Sequence, residues 1–491
     1  MFPPPAAPRR GPRGTLITMR VAIMTAGSRG DVAPYTGLGH RLAGAGHEVT
    51  IVTHERFAGL VAAAGLGYRA VPVDPQAELA SQSGLGLHRS WSPAGKLVRL
   101  LGIARSLVGE LAEALVTAAG DSELLLLNGA VAPLGQVIAE GLGVPSMGVY
   151  LQPLAATGEF ASPMLGTGSW GGPANRWSAG AVNASLDLIF PDACRDLRSR
   201  FGLGPRSVRA TRRAFEQADW PVFHGFSTQI VPRPADWRPG LTVTGYWWPH
   251  TAPGAGLPPA VQEFLAAGPA PVFVGLGSAT VPDPGKLSAT VVRGLRAAGV
   301  RGVIQQGWSG LAAEGDDMLV VDDVPHDLLF PHMAAVVHHA GAGTTGAGLR
   351  AGVPAVPVPV QFDAAFWARR LTALGVAPRP VPLRALTSAN LAAAVRQAIG
   401  DPGYALRAAA VAERIRAEDG MRPVVEAVNH LAAGGRRKPA ASNYRCTAPP
   451  RTGQARPASA RWVRRRATTG APAVPVRGRA PAVPARGHAA R

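Results

Sequence analysis

Two rhythms of hydrophobic and polar positions run along the chain. Short apolar runs at Arg20–Met24, Glu48–Thr53, Glu123–Leu127 and Ser146–Val149 read as buried strands. Val32 to Ala45 carries a helical pattern that Gly46 ends. Residues 154–175 are rich in Gly, Ser and Pro and read as irregular, and 176–217 reads as helical with a break near Phe201–Pro205. A second series opens with the strand in Pro271–Ser278. Helix Lys286–Ala298 and strands Gly302–Gln305, Met318–Val321 and Met333–Val337 follow it. Next come helix Gly346–Ala351, strand Ala355–Pro359, helix Ala364–Leu374 and an amphipathic helix Pro423–Ala432.

Strand, Gly-rich turn, helix, strand is the opening of a doubly wound α/β domain, and the pattern occurs twice. At 491 residues the chain is too long for one ordinary core. The Pro-, Gly- and Trp-rich stretch 236–260 separates the halves. The expected division is an extension 1–18, an α/β domain 19–240, a second α/β domain 260–420, a terminal helix 421–435 and a tail 436–491.

Composition sharpens this division. The formal charge of +19 suggests nucleic acid, but its distribution argues against it. Residues 436–491 hold 14 Arg or Lys and no acid, and residues 1–18 hold three Arg and no acid, leaving only +2 on 19–435. The tail repeats Ala-Pro-Ala-Val-Pro and has no apolar periodicity, so it reads as disordered, an inert extension or a contact for an anionic surface. No run of about 18 apolar residues exists, so no transmembrane segment is expected, while peripheral membrane contact stays open. Met1–Thr18 is Pro- and Arg-rich without the apolar core of a signal peptide, and Met19 competes with Met1 as the start. Two cysteines, Cys194 and Cys446, make a disulfide framework improbable and fit a cytoplasmic location.

The richest local chemistry lies at Val337-His338-His339-Ala340-Gly341-Ala342-Gly343-Thr344-Thr345. A Gly-rich turn between a strand and a helix N-terminus presents backbone N–H groups beside the positive end of a helix dipole, which suits phosphate. No Gly-Lys-Ser/Thr follows, so this is not a Walker A loop. A tight turn with packed histidines is the alternative reading. No Asp-x-Asp pair stands at a strand end and no Cys/His cluster has zinc spacing; Asp316-Asp317 and Asp322-Asp323 read as solvated turns. Metal-independent chemistry without a cofactor is expected. Asp31 ends the first βα turn, where α/β folds place ligands. It reads as a general base, as a helix N-cap before Val32-Ala33-Pro34, or as both in turn.

His326-Asp327-Leu328-Leu329-Phe330-Pro331, the HHAGAGTT run and Gly348-Leu349-Arg350-Ala351-Gly352-Val353-Pro354 together resemble the donor signature of family 1 glycosyltransferases. The nearest branch holds sterol-glucosyltransferase-like and glycopeptide- or macrolide-modifying enzymes. Ala26-Gly27-Ser28-Arg29-Gly30-Asp31-Val32 and Ala45-Gly46-His47-Glu48-Val49-Thr50 resemble the same branch. The resemblance runs from about residue 19 to 435 and implies two Rossmann-like domains facing a cleft, the GT-B fold. It implies an inverting transfer of a hexose from a UDP- or dTDP-sugar to a hydroxyl of a lipophilic small molecule. On that resemblance His339 meets the donor diphosphate, with Gly343, Thr344, Thr345 and Ser278 as further phosphate contacts. Val324 pairs with the base, Asp363 holds a sugar hydroxyl, and Asp31 is the base. Ser28 and Arg29 are further candidates, and His338 is either a contact or a packed core residue. Acceptor loops are expected in 74–100 and 150–190 of the first domain.

Two positions depart from the family. Asp363-Ala364 stands where Asp-Gln is usual, so an amide to the sugar is missing. That suits a deoxy or otherwise unusual sugar, or slow turnover. Leu328 stands where the branch commonly has Trp, a packing change. A nucleotide-sugar 2-epimerase shares the architecture, and a non-catalytic nucleotide-sugar-binding auxiliary protein is the alternative from another class.

Overall fold

The computed structural model describes residues 18–72, 107–166 and 168–434. The expected tail 436–491, all but the last residue of the 1–18 extension, and the 74–100 acceptor loop lie outside the described residues.

The first sheet has seven parallel strands in the order β3-β2-β1-β4-β5-β6-β7. They are β1 Arg20–Met24, β2 Glu48–His54, β3 Gly67–Val71, β4 Leu124–Leu127, β5 Ser146–Tyr150, β6 Val222–His224 and β7 Leu241–Val243. Four consecutive leucines make β4, and all four are fully buried. A parallel strand covered on both faces needs this unbroken apolar run rather than alternation. The second sheet has order β10-β9-β8-β11-β12, again all parallel. Its strands are β8 Val272–Gly275, β9 Gly302–Gln305, β10 Met318–Val321, β11 Ala335–His338 and β12 Ala355–Pro357. These two sheets are the two Rossmann-like domains of a GT-B architecture.

In each sheet the strand order reverses beside the first strand, between β1 and β4 and between β8 and β11. The loops leaving two such neighbours turn to opposite faces and open a crevice at the carboxyl ends. Four turns therefore matter: those after β1, β4, β8 and β11.

The chain passes between the domains twice. Residues 244–250 leave β7, and residues 417–421 return to helix Arg422–Gly434. Where they cross, the Trp247 indole N–H donates to the Gly420 carbonyl at 2.8 Å. A Cβ on Gly420 would meet Gly245 backbone at 2.5 Å, so only glycine permits the approach. The returning helix buries Val424 and Val428 in the same core as Ile23, Tyr35 and Leu38 of the first domain. Away from the crossing, Phe160 of the first domain packs on Phe366 of the second at 5.3 Å, and Phe226 meets Trp367 edge-on at 5.8 Å.

Several elements differ from the sequence reading. The first helix is Arg29–Gly44 rather than Val32–Ala45, with Ser28 as its cap and Asp31 at the third helical position. The 176–217 stretch is three helices, Gly172–Asp187, Pro191–Arg200 and Val208–Gln217, with a second break at 188–190 where Pro191 opens a new helix. Strand β7 extends the first domain past residue 240.

Candidate functional site

The turn after β1 is built around one carboxylate. Asp31 Oδ2 accepts from the Ser28 N–H at 2.9 Å and from the Ser28 hydroxyl at 3.0 Å. Asp31 is thus not the N-cap; Ser28 is, and the two form a capping box. Gly27 has φ +139°, and a Cβ there would lie 2.5 Å from Asp31 Oδ2. The bare face of Gly27 is what lets the carboxylate fold back. The Gly27 N–H donates to His54 Nε2 at 2.8 Å, pinning the turn to β2. Burial raises the Asp31 pKa above its ordinary value, opposed by hydrogen bonds from Ser28 and Gln152. The carboxylate lines the cleft.

The turn after β11 faces the same cleft. The His339 ring lies between two glycines: a Cβ on Gly341 would sit 2.3 Å from Nε2, and one on Gly277 2.7 Å from Cε1. Glycine at both places makes the slot that holds the imidazole. Nδ1 of His339 is buried without a protein partner. Burial lowers the His339 pKa to about 4, so the ring is neutral at pH 7 and can donate one N–H to an anion.

The helix after this turn begins at Ala342, four residues before the sequence reading placed it. Ala340 takes the left-handed conformation, φ 62°, and Gly341 is the extended N-cap, so Ala342 to Thr345 form the first turn. Glycine is tolerated there because first-turn amides have no partner within the helix. Gly343 and Thr344 line the cleft beside these amides. Thr345 does not: its side chain is fully buried and its N–H donates to the Gly341 carbonyl at 2.9 Å. His338 also points away. It is fully buried and its Nδ1 accepts from the Ala340 N–H at 3.1 Å, which makes it the packed histidine that shapes the turn.

The remaining candidates line the cleft as well. Ser278 follows β8, and Val324 follows β10. Arg29 pairs with Asp323 at 2.7 Å, an ion pair from the first domain to the second across the cleft. Both side chains are about half exposed, so the pair contributes little stability. It does turn Asp323 toward Arg29 rather than to solvent alone. Asp363 caps helix Ala364–Ala373, and its Oδ2 accepts from the Trp367 indole N–H at 2.6 Å. Burial raises its pKa to about 6, opposed by Trp367 and reinforced by the negative charge of Asp31. That coupling brings carboxylates of the two domains to one space.

Sequence reasoning missed Asn128, Gln152, Trp308, Phe362 and Trp367, all at or behind the cleft wall. Asn128 follows β4 at the other side of the first switch point, and its amide donates to the Tyr35 hydroxyl at 2.8 Å. Trp308 lies under the Arg56 guanidinium, 5.0 Å from the ring centroid. The Asp363 to Trp367 spacing of four at a helix start was the available signal for that contact.

The cleft is continuous and holds about 1980 Å³. One end is polar, made by the turns above. In the first domain its wall includes Val108, Leu111, Tyr150, Leu154, Phe190 and Phe215, with Asp187, Arg212 and Glu216 beside them. Among the described residues, His, Cys, Asp and Glu form no group of three suited to a metal ion, and no helix is long and apolar enough to cross a membrane.

A two-domain fold with both switch points on one cleft, a helix N-terminus and a carboxylate facing each other, is the frame of the GT-B glycosyltransferases. The chain belongs to them, in the branch of sterol glucosyltransferases and macrolide-modifying enzymes. Residues 21–160 match the glycosyltransferase family 28 N-terminal domain, and residues 302–431 match the erythromycin biosynthesis protein CIII-like C-terminal domain. The O-mycaminosyltylonolide 6-deoxyallosyltransferase of Streptomyces fradiae is 35% identical over 413 residues, covering 82% of this chain and 95% of that protein. A sterol 3-beta-glucosyltransferase of Arabidopsis thaliana is 31% identical over 422 residues, 83% of this chain. The match spans 65% of that plant protein's own length. Among solved structures, the kitacinnamycin glycosyltransferase shares the fold at TM-score 0.62 and 19% identity, covering 84% of this chain and 99% of that one. A Streptomyces glycosyltransferase solved with thymidine diphosphate shares it at TM-score 0.57 and 20% identity, with 84% and 99% covered.

Proposed function

We propose that the protein is an inverting, metal-independent glycosyltransferase. It moves a hexose from a UDP- or dTDP-sugar to a hydroxyl of a lipophilic small molecule, a sterol, polyketide or related natural product. The observation that carries this is the meeting of Asp31 with the His339 turn and its helix N-terminus in one cleft that Val108, Leu111, Phe190 and Phe215 also line. The named relatives, which glycosylate a sterol and a macrolide, and a solved neighbour with thymidine diphosphate support the same class of substrates.

The residues divide the work. The amides of Ala342 to Thr344, the Thr344 hydroxyl and neutral His339 stabilise the diphosphate as its charge grows. Ser278 adds a contact from the facing turn, and Val324 borders the base. Ionised Asp31 takes the proton from the acceptor hydroxyl. The acceptor oxygen bonds to the anomeric carbon as the bond from that carbon to the diphosphate oxygen breaks, and the nucleoside diphosphate leaves. Attack from the face opposite the leaving group inverts the anomeric centre.

The test is purified protein offered UDP- and dTDP-sugars with sterol and macrolide aglycones, with released nucleotide and product mass as readouts. Transfer that survives metal chelation supports the reading. Tight nucleotide-sugar binding with no transfer to any acceptor points instead to the non-catalytic binding role that Ala364 suggests.

A further inference from the structure

Two buried polar atoms of the first domain have no protein partner and no part in the transfer chemistry above. They are Nε2 of His224, at the end of β6, and Nε1 of Trp237, in the loop from β6 to β7. Both side chains line the cleft, and both residues are more than nine-tenths buried. The two rings stack, with centroids 4.7 Å apart and planes inclined by 27°. Buried polar groups in folded proteins are almost all paired, so two orphans on one stacked pair need a reason.

The hydrogen-bonding role of each atom is fixed. His224 Nδ1 lies 3.2 Å from the Thr242 carbonyl, which can only accept, so Nδ1 carries the proton. Burial lowers the His224 pKa to about 3, opposed by the Thr242 carbonyl and helped by the charges of Arg238 and Arg233, so the ring is neutral. Nε2 is then a bare acceptor, whereas the Trp237 indole can only donate. Other buried indoles find acceptors: Trp220 donates to the Ser146 carbonyl at 2.7 Å, Trp247 to Gly420 at 2.8 Å and Trp367 to Asp363 at 2.6 Å. Nor is the Trp237 loop loosely held. The Arg233 guanidinium donates to the carbonyls of Trp237, Arg238 and Leu241 at 3.0, 2.8 and 2.8 Å.

Strand register relates the pair to the reacting centre. His224 is the partner of Tyr150 on β5, and their rings meet edge-on at 5.9 Å. Two residues beyond Tyr150, Gln152 hydrogen bonds to Asp31. Two residues of chain cover about 7 Å and adjacent strands lie about 5 Å apart, so the pair stands roughly 10 Å from Asp31.

We infer that His224 and Trp237 determine acceptor specificity by binding a second hydroxyl, roughly 10 Å from the one that is glycosylated. The inference rests on the glycosyl-transfer reading above. A hydroxyl is the simplest group that serves both atoms, because it accepts from the indole and donates to the imidazole. A ketone serves the indole alone. The substrate class narrows to lipophilic molecules oxygenated at two well-separated places, as a polyhydroxylated polyketide is. A sterol whose single hydroxyl is the one glycosylated would cover the pair and leave both atoms unpaired, which a site built for a hydroxyl disfavours.

The experiment measures binding of two rigid steroids to the full chain by equilibrium dialysis with dTDP or UDP present. One is a diol with a hydroxyl at each end of its ring system, and the other is the monool that lacks one of them. The diol should bind about tenfold or more tightly. His224→Phe removes the acceptor and Trp237→Phe the donor, and each should bring the ratio of the two affinities toward one. Thermal melting and affinity for dTDP or UDP check that the variants fold. If His224→Phe unfolds because the Thr242 carbonyl loses its donor, Trp237→Phe still carries the test. Equal affinity for diol and monool, a ratio that Trp237→Phe leaves unchanged, or no binding of the diol to a chain that binds nucleotide, overturns the inference and leaves the transfer reading standing. Failure of both dTDP and UDP to bind the parent chain overturns the two together.

Discussion

The indole N–H of Trp367 donates to Asp363 at 2.6 Å, one helical turn along from the carboxylate it holds. Trp367 is fully buried, so the bond anchors the acid at a helix N-cap to the aromatic cluster shared by the two domains. The contact favours the ionised form, yet burial and the charge of Asp31 outweigh it.

The stability consequence has a definite sign. Asp363 has its folded pKa raised from 3.8 to about 6, so between those values the folded state binds more proton than the unfolded one. Its contribution therefore falls as pH rises through that window, by about 3 kcal/mol at most. Asp363→Asn removes the titration and can keep an oxygen for the indole. The melting temperature of the variant relative to the parent should rise by several degrees from pH 4 to pH 8. A constant difference across that range would show that the carboxylate is not buried in the way described.

Asp31→Asn separates base from cap. An Asn oxygen can still accept from the Ser28 amide and hydroxyl, so the capping box and the fold should survive. Proton abstraction should not, and transfer should fall by about 10²–10⁴-fold. Parent-like turnover in a folded variant would leave Asp31 with a structural role only.

Much of this was legible along the chain. The runs Gly302–Gln305 and Met318–Val321 are strands at those bounds, because a fully buried parallel strand leaves a short apolar signature that little else produces. The helix at Ala342 was placed late because Gly341 and Gly343 read as turn, whereas it is Ala340 that takes the left-handed conformation, φ 62°. Helices Ser388–Gly400 and Pro402–Arg416 passed unnoticed, since alanine-rich faces barely contrast with their surroundings. At the site, Asp31 and His339 were visible because each sits on a glycine-marked turn. Thr345 looked equivalent to Thr344, but successive helical residues point about 100° apart and only one of the pair can face the cleft. Phe362 and Gln152 carry no local signal, because their positions come from the approach of separate loops.

His339→Ala removes an imidazole that lines the cleft beside the helix N-terminus. Affinity for UDP or dTDP should weaken and turnover should drop by about 10²-fold or more. Because the parent ring is already neutral well above its pKa of about 4, nucleotide affinity should show no titration from His339 between pH 6 and 8. Unchanged nucleotide affinity in the variant would remove His339 from the diphosphate site.

Gly341→Ala tests the same imidazole without deleting it. The backbone there, φ −71° and ψ 152°, suits alanine, so no conformational strain is introduced. The new Cβ would sit 2.3 Å from His339 Nε2. Gly277 flanks the ring from the other side, close enough that a Cβ there would meet Cε1 at 2.7 Å, and is itself in the left-handed region at φ +56°. The imidazole must leave its slot or the turn must shift. Overpacking of this kind costs about 1–3 kcal/mol of stability, and nucleotide affinity should fall toward that of His339→Ala. In the double variant the alanine meets no ring, so the stability lost to the clash should return and the two effects should be strongly non-additive. Additive losses would mean that Gly341 acts through the helix cap rather than through His339, and full nucleotide affinity in Gly341→Ala would sink the slot itself.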